Sequence, residues 1–338
     1  MKVTFYLPDE PNLPQLITLD PDKDWKRFRK GQRWTVQTYI RLKRNGNKVG
    51  ISNILPEKGI VVYQQRHKDS LKKELIRRKI KDLVLVCIRG DKSESLIADF
   101  EILQNDKWAD NKRFFHIPYW PQPGLIPRDK RRKNKVETIA FKGFHQNLHD
   151  YFLNGKWSKW LVNNNMKWQL DSQEFYSSEE NGVSADWHDY RNVDVIVAMR
   201  PKPKRIDQKN GFTAKPATKL YNSWHAGVPA LLAPEYAFQQ LRKSELDYIE
   251  VNSIQEVKDA VIKLQSNPDL YQAMVENGLN RATDYSVEQI LSKWEDFLFD
   301  QLPKLIGTSN FKRNKMIPFQ LKILIRRLQR YISGRTKR

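Results

Sequence analysis

The most constraining feature of the sequence is an alternation of short apolar runs with segments of helical periodicity. Residues 83–88 (LVLVCI) are apolar on both faces, and residues 193–198 (VDVIVA) are nearly so, which is typical of buried parallel strands. Residues 34–43, between two shorter runs, carry apolar side chains about four positions apart. Strand and helix repeated in this order predict an α/β protein with parallel sheets.

A change of composition near the middle divides the chain. Residues 117–127 contain four prolines and a glycine, and the strongly basic residues 128–135 follow. Because proline fixes φ and lacks an amide donor, this stretch is neither helix nor central strand. In a chain of 338 residues we therefore predict two Rossmann-like domains that face each other across a cleft. We assign residues 1–118 to the first, 119–135 to the linker and 136–300 to the second.

Charge and cysteine content narrow the class of protein. The chain has 60 Lys and Arg against 39 Asp and Glu, a net charge of +21, which favours anionic partners such as a nucleotide, an acidic lipid surface or a nucleic acid. A single cysteine, Cys87, excludes an intrachain disulfide and fits a reducing compartment. The first residues lack the apolar run of a signal peptide, and no run approaches the ~20 residues that span a bilayer. We expect a cytoplasmic protein, soluble or peripheral on the inner face of the membrane.

Residues 215–235 carry the most specific chemical signal. A helix is predicted to begin near Ala217, with Pro216 suited to its first turn. The first amides of a helix have no internal partner and the helix dipole adds partial positive charge, so a phosphate binds well there. Lys215 and Lys219 add full charges. An ordinary βα unit with two solvated lysines explains the same pattern equally well.

Polar residues on either side of this helix start extend the candidate site. Asn222 and Ser223 offer short side chains for a ribose hydroxyl, and Gly227 lets the chain turn closely into the next strand. Arg200 and Lys202 follow a predicted buried strand and could neutralise a diphosphate. Solvation of their loop accounts for these two cations equally well.

Four pieces of this segment resemble the nucleotide-binding signature of the GT-B glycosyltransferases of the bacterial family 1 and family 4 kind. They are Lys219 with Leu220, then Asn222, then residues 226–229 (AGVP) and 230–233. Residues 136–143 resemble the first strand and glycine turn of such a C-terminal domain, and residues 286–299 resemble the late helix that crosses back to the N-terminal domain. The resemblance covers about residues 1–300.

The resemblance implies a hexosyltransferase-type enzyme without a cofactor or an obligatory metal. Its C-terminal domain would hold a nucleotide-diphosphate sugar and its N-terminal domain the acceptor. Position by position, it implies that Lys142 and Gly143 approach the diphosphate and that Glu235 lies near the sugar or nucleotide. With the cations above, the predicted donor-binding residues are Lys142, Gly143, Arg200, Lys215, Thr218, Lys219, Leu220, Asn222, Ser223 and Gly227.

The chain departs from the pattern of the retaining members at two positions. Many of these carry two glutamates spaced Glu-x7-Glu, where this chain has Ala214 and Asn222. An amide can hydrogen-bond a ribose, but it cannot supply the same charge. The stereochemical outcome and the nucleotide therefore stay open, and an inactive GT-B-like protein is an alternative.

Catalytic candidates in the first domain follow its buried strand at residues 83–88. Asp91 could accept the proton of an acceptor hydroxyl, and Arg89 could hold a phosphate or orient the loop. We predict Asp91, Arg89 and Glu235 as the catalytic residues. A surface salt bridge explains the first two as well. Front-side attack, in which the leaving phosphate takes the proton, would need no protein base.

The last segment, residues 311–338, carries ten Lys or Arg and no acidic residue. Its apolar residues follow helical spacing on one face and are Leu321, Leu324, Ile325, Leu328, Tyr331 and Ile332. The segment predicts a basic amphipathic helix. That face either lies on an anionic membrane or packs on the N-terminal domain.

Two readings of the whole chain compete. We predict transfer of a sugar from a nucleotide-diphosphate sugar to an unknown acceptor, such as a lipid-linked or polysaccharide precursor. The alternative is a non-catalytic protein that binds nucleic acid or another polyanion, since Trp25, Phe28 and Trp34 are interleaved with basic clusters. Against it, the sequence contains no RNA- or DNA-binding motif.

Overall fold

The first half of the chain forms a parallel sheet. The computed structural model describes residues 1–29, 31–174, 183–201, 212–317 and 319–332. The strands of the first sheet are Val3–Tyr6 (β1), Val49–Ser52 (β2), Lys58–Gln64 (β3), Asp82–Ile88 (β4), Phe100–Leu103 (β5) and Phe114–His116 (β6). Their order is β2-β1-β3-β4-β5-β6, and each neighbouring pair is parallel.

The second half forms another parallel sheet. Its strands are Thr138–Phe144 (β7), Lys167–Gln173 (β8), Val195–Ala198 (β9), Ala230–Leu232 (β10) and Ile249–Glu250 (β11). Their order is β11-β10-β9-β7-β8. The predicted α/β fold class with two parallel-sheet domains is confirmed.

Helices connect these strands and continue beyond the last one. The α-helices of the described residues are Leu13–Leu16 (α1), Arg33–Arg44 (α2), Lys68–Arg77 (α3), Lys156–Asn163 (α4), Thr218–Ala226 (α5), Tyr236–Gln239 (α6), Ile254–Ser266 (α7), Pro268–Ala282 (α8), Val287–Glu295 (α9), Leu302–Gly307 (α10), Ser309–Met316 (α11) and Phe319–Ile332 (α12). A π-helical turn, Asp296–Gln301, joins α9 to α10. No helix of the described residues has the length and apolarity needed to cross a bilayer.

Strand β4 shows why its apolar run is buried on both sides. Val84, Val86 and Ile88 belong to the core on one face of the first sheet. The alternate residues, Leu83 and Leu85 among them, belong to the core on the other face. Side chains alternate along a strand, so a run without a polar face requires a covering layer on each side.

The chain returns to the first domain after β11 and the two helices that follow. Trp294, Phe297 and Leu302 are buried in the same core as β4. Glu295 accepts hydrogen bonds from Asn45 at 2.6 Å and Asn47 at 2.5 Å. Residues 290–302 thus pack on the first sheet.

Candidate active site

Three neighbouring strands of the second sheet end at one edge, where the candidate residues gather. Strand β7 lies beside β9, and β9 lies beside β10, all parallel. Gly143 is near the end of β7, Arg200 follows β9 and Glu235 follows β10. Carboxyl ends of parallel strands are where α/β sheets bind ligands. The structure thus brings together residues that the sequence places far apart.

Arg200 and Glu235 form a buried ion pair at this edge. The Arg200 Nε donates to Glu235 Oε1 at 2.7 Å, and an Arg200 amino group donates to Asn147 Oδ1. Glu235 is only 2% exposed, and its Oε2 has no hydrogen-bond partner among the described residues. A buried carboxylate oxygen without a donor is costly, so this atom is suited to a ligand hydroxyl or amide. Lys202 lies outside the described residues.

Lys219 brings a second cation to the same cluster. Its ammonium donates to the Lys142 carbonyl at 2.5 Å and lies 4.5 Å from the centre of the Phe141 ring. Burial first, and then repulsion from Arg200, lower the pKa of Lys219 to about 7, and Glu235 opposes the shift. The negative charge of a bound anion would raise the pKa of Lys219 again and so favour its charged form.

Gly143 allows Lys219 to come this close to the strand. A Cβ at position 143 would lie 2.6 Å from Lys219 Nζ, and the φ angle of +152° is one that side-chain-bearing residues rarely adopt. The backbone conformation is thus what requires the glycine, whereas the ammonium beside it is the end of a flexible side chain.

Helix α5 adds its positive end to the cluster. The helix begins at Thr218, after Ala217, and no side chain of the described residues caps it. Helix N-termini without a capping side chain expose amide donors to solvent or ligand. Together with Lys219 and Arg200, the helix start gives the sheet edge a positive local charge.

Lys142 takes a different position from the predicted one. Its side chain is buried, and its ammonium donates to Asp171 Oδ2 at 2.5 Å and to the Asp186 carbonyl at 3.1 Å. Burial lowers the pKa of Lys142, and Asp171 opposes the shift. The side chain is therefore engaged within the domain, and it is the Lys142 carbonyl that meets the cluster.

Three residues on α5, and the glycine that ends it, also differ from their predicted donor-binding roles. Ser223 is fully buried and donates to the Leu220 carbonyl at 2.6 Å, so it faces the core rather than a ribose. Leu220 is likewise buried in that core. Asn222 Oδ1 accepts a hydrogen bond at 2.9 Å from the backbone N–H of Gln122 in the linker. Gly227, with a φ angle of +65°, ends the helix. At 1.5 Å per residue it lies about 13 Å from Thr218, at the opposite end of the helix from the cluster.

The first domain meets the start of this site through two loops. The Asp91 carboxylate, after β4, lies 2.7 Å from Lys215 Nζ, just before α5. Asn105, after β5, donates to the carbonyls of Thr213 at 3.0 Å and Lys215 at 2.9 Å. Arg89 is instead buried and donates to the Lys92 carbonyl at 3.0 Å, so it holds its own loop. Sequence patterns did not single out Asn105, because nothing local distinguishes it from a surface asparagine.

The first domain contains a cavity after its first strand. Its volume is about 440 Å³, and its lining residues are Glu10, Asn12, Gln15, Leu16, Leu19, Arg27, Arg29 and Gln32. The chain reaches this cavity directly after β1. The neighbouring Lys26 forms an ion pair with Asp186 of the second domain at 2.6 Å. The cavity is thus at the carboxyl edge of the first sheet, and its lining residue Arg27 directly follows Lys26, which contacts the second domain.

Comparison with known proteins identifies the fold. No protein-family model matches the chain, and no curated protein sequence matches it. HepE of Anabaena, solved with UDP and glucose, is 12% identical, with a TM-score of 0.52 over 88% of this chain and 99% of HepE. A glycosyltransferase of Rickettsia africae ESF-5 is 8% identical, with a TM-score of 0.51 over 91% of this chain and 99% of that protein. This chain has the GT-B fold.

The chain spans little more than half the length of another protein that it resembles. Against TarM, this chain is 10% identical and spans 58% of TarM's length, with a TM-score of 0.48. Identities of this size demonstrate a shared GT-B architecture and no more, because one fold supports many reactions.

Proposed function

We propose that this GT-B protein is a glycosyltransferase that takes a sugar from a nucleotide-diphosphate donor. The observation that carries the proposal is the gathering of Lys219, Arg200 and Gly143 at the start of α5. Cations and free helix amides at the carboxyl edge of a parallel sheet suit a diphosphate. Because HepE is solved with UDP, UDP is the first nucleotide to test.

Each residue of the cluster has a distinct role in this proposal. Lys219 and Arg200 neutralise the diphosphate, which also becomes the leaving group, and Gly143 leaves room beside the strand. Glu235 holds Arg200 through Oε1, and its second oxygen accepts from a hydroxyl of the sugar. Stabilising charge where it accumulates in the transition state is the main contribution such groups make to catalysis. We expect no metal, because two cations already face the diphosphate.

Proton transfer from the acceptor has two candidate routes. Asp91 is the protein base we propose, since it lies at the domain boundary beside the start of the donor site. The Lys215 ammonium competes with an acceptor hydroxyl for that carboxylate, so the bridge must open first. If the Asp91–Lys215 ion pair stays intact, the leaving phosphate would take the proton of the acceptor hydroxyl instead. Loss of transfer in Asp91→Asn with unchanged UDP affinity would favour the first route.

We propose that the acceptor binds in the cavity after β1. Amide and guanidinium groups of Asn12, Gln15 and Arg27 offer donors and acceptors for a hydroxyl-rich or anionic acceptor, such as a lipid-linked or polysaccharide precursor. Its lining residue Arg27 directly follows Lys26, which contacts the second domain, and a transfer between two bound substrates requires such proximity. We further propose peripheral association with a membrane, which would bring the enzyme to a lipid-linked acceptor.

The donor site is tested with Lys219→Ala and calorimetric titration of UDP, GDP and ADP. Loss of a charge-assisted phosphate contact costs about 1.5–3 kcal/mol, so the Kd of the preferred nucleotide should rise about 10- to 150-fold. Lys263→Ala removes an exposed lysine on α7 and serves as the matched control, with unchanged affinity.

Three results would contradict the proposal. Equal nucleotide affinity in wild type and Lys219→Ala would remove the assignment of the donor site. Binding of DNA or heparin with a steep salt dependence, together with no nucleotide binding, would favour the polyanion-binding alternative. Nucleotide binding without hydrolysis or transfer of any sugar would favour an inactive GT-B protein, in line with Ala214 and Asn222.

A further inference from the structure

The last helix, α12, turns charged side chains toward the protein. Lys322 and Arg326, one turn apart, lie 2.6 Å and 3.8 Å from the carboxylate of Asp99, and Lys315 lies 2.8 Å from it. The side chain of Asp99 is 2% exposed. Of the apolar residues of α12, Ile323 packs against the core near α3. The helix is therefore docked by a buried ionic cluster and by part of its apolar content.

The opposite face of α12 is apolar and open to solvent. Leu321, Leu324, Leu328 and Tyr331 recur at intervals of three and four residues and are 48%, 52%, 56% and 66% exposed. We call these four residues the outer stripe. Helices of soluble domains ordinarily turn such a stripe inward and leave cations in water. Here the arrangement is reversed, so the outer stripe is available to a partner.

Exposed cations lie on α12 itself and on the helix before it. Arg327 on α12 and Lys312 and Arg313 on α11 are exposed, and the sequence contains no acidic residue after Asp300. Two copies of this surface would repel each other, whereas an anionic surface would be attracted.

We propose that the outer stripe is a docking surface for an anionic lipid bilayer. The helix lies in the plane of the interface, with its four apolar side chains among the acyl chains and the exposed cations at the lipid phosphates. The ionic cluster at Asp99 holds α12 in the orientation that keeps the stripe outward. This inference does not rest on the proposed glycosyl transfer, because none of the donor-site residues takes part in it.

The test is co-sedimentation of the full chain with vesicles of neutral phosphatidylcholine, alone or with anionic phosphatidylglycerol. We expect binding to the anionic vesicles that weakens with added salt and is much weaker on neutral ones. The variant Leu324→Gln/Leu328→Gln should lower the partition coefficient at least about tenfold, because two apolar side chains leave the interface. Arg327→Gln should lower it by a smaller factor.

A matched control distinguishes the outer stripe from general apolarity. Ile54 and Val162 are 70% and 66% exposed on other surfaces, so Ile54→Gln/Val162→Gln should bind like the wild type. Both double variants change exposed residues and should keep the wild-type melting temperature.

Three outcomes would overturn the proposal. The first is absence of wild-type binding to anionic vesicles. The second is equal binding by the wild type and the stripe variant. The third is a wild-type dimer in sedimentation equilibrium that dissociates in the stripe variant, which would assign the stripe to a second copy of the chain. UDP affinity is measured on the same samples, so failure of membrane docking is separable from failure of the donor site.

Discussion

At the scale of single residues, the donor cluster depends on a lysine whose charge is poorly solvated. Lys219 is held between the Phe141 ring and the Lys142 carbonyl, with Arg200 nearby. No carboxylate of the described residues lies within ion-pair distance of its ammonium. A diphosphate would supply the missing negative charge, which couples ligand binding to protonation of this side chain.

We therefore expect UDP binding to take up a proton near neutral pH. The folded pKa of Lys219 is about 7, and a bound diphosphate raises it, so affinity should fall as the pH rises from 7 to 9. Calorimetry at pH 7.5 in two buffers of different ionisation enthalpy measures the uptake. Lys263→Ala should keep it and Lys219→Ala should lose it; a wild type without uptake would contradict the expectation.

The same pKa fixes the sign of the effect on stability. Since the unfolded lysine titrates near 10.5, the unfolded chain binds more protons than the folded chain between pH 7 and 10.5. Lys219 should therefore make the free energy of unfolding of the nucleotide-free protein rise with pH across that window.

At the scale of elements, helix starts that depend on local capping residues are predictable from the sequence, whereas features that depend on distant contacts are not. Ser253 and Ser286 cap their helices by accepting from Glu256 and Gln289, as their spacing predicts. The spacing of residues 236–244 predicts a single helix over that range, whereas the observed helix α6 ends at Gln239. Strand β6 has only three residues, too few to show the alternation of apolar and polar side chains by which a strand is recognised in a sequence.

The orientation of α12 is a feature that local sequence patterns do not predict. Its periodicity was evident, but the side that faces the protein is set by Asp99, more than 200 positions earlier in the chain. The same reason applies to Ser223, which lies one position from Asn222 and yet points into the core. Contacts between distant segments decide helix rotation, and no local rule reports them.

The ionic cluster under α12 leads to a prediction at this scale. Asp99→Asn leaves Lys322 and Arg326 beside a neutral group, so we expect a loss of about 3–5 kcal/mol in the free energy of unfolding. Hydrogen exchange of the α12 amides should accelerate, and urea unfolding measures the loss. Asp300→Asn, which removes only an exposed i,i+4 pair with Lys304, should cost less than about 0.5 kcal/mol.

The pH dependence of this cluster has a definite sign. Burial raises the pKa of Asp99, but the ammonium groups of Lys315 and Lys322 outweigh it, and the net shift is downward. The cluster therefore stabilises the protein fully above pH 3.8, and the contribution is lost as the pH falls through the lower folded pKa. Exchange of the α12 amides that is insensitive to Asp99→Asn would contradict the role of the cluster.

At the scale of the whole molecule, two kinds of contact hold the domains together near the donor site. Asn105 is 3% exposed and bonds to two carbonyls of the other domain. The bridge between Asp91 and Lys215 is partly exposed to solvent, which weakens it. The buried amide should therefore contribute more to closure than the ion pair.

Asn105→Ala tests this ranking. Loss of two hydrogen bonds at about 0.5–1.5 kcal/mol each should favour open forms and enlarge the radius of gyration in small-angle X-ray scattering. Asp91→Asn, which removes a bridge of about 0–1 kcal/mol, should change the scattering less. A larger opening in Asp91→Asn than in Asn105→Ala would reverse the ranking.

The return of residues 290–302 to the first sheet has a consequence for how the halves can move and be separated. The polypeptide passes from one half to the other twice, once through the linker and once before α9. Because the chain crosses twice, the easiest relative motion of the two halves is a hinge rotation about the line that joins the two crossings. Twisting of one half against the other is resisted. A fragment cut after residue 118 would lack Trp294, Phe297 and Leu302 from its interior, so it should be poorly stable on its own.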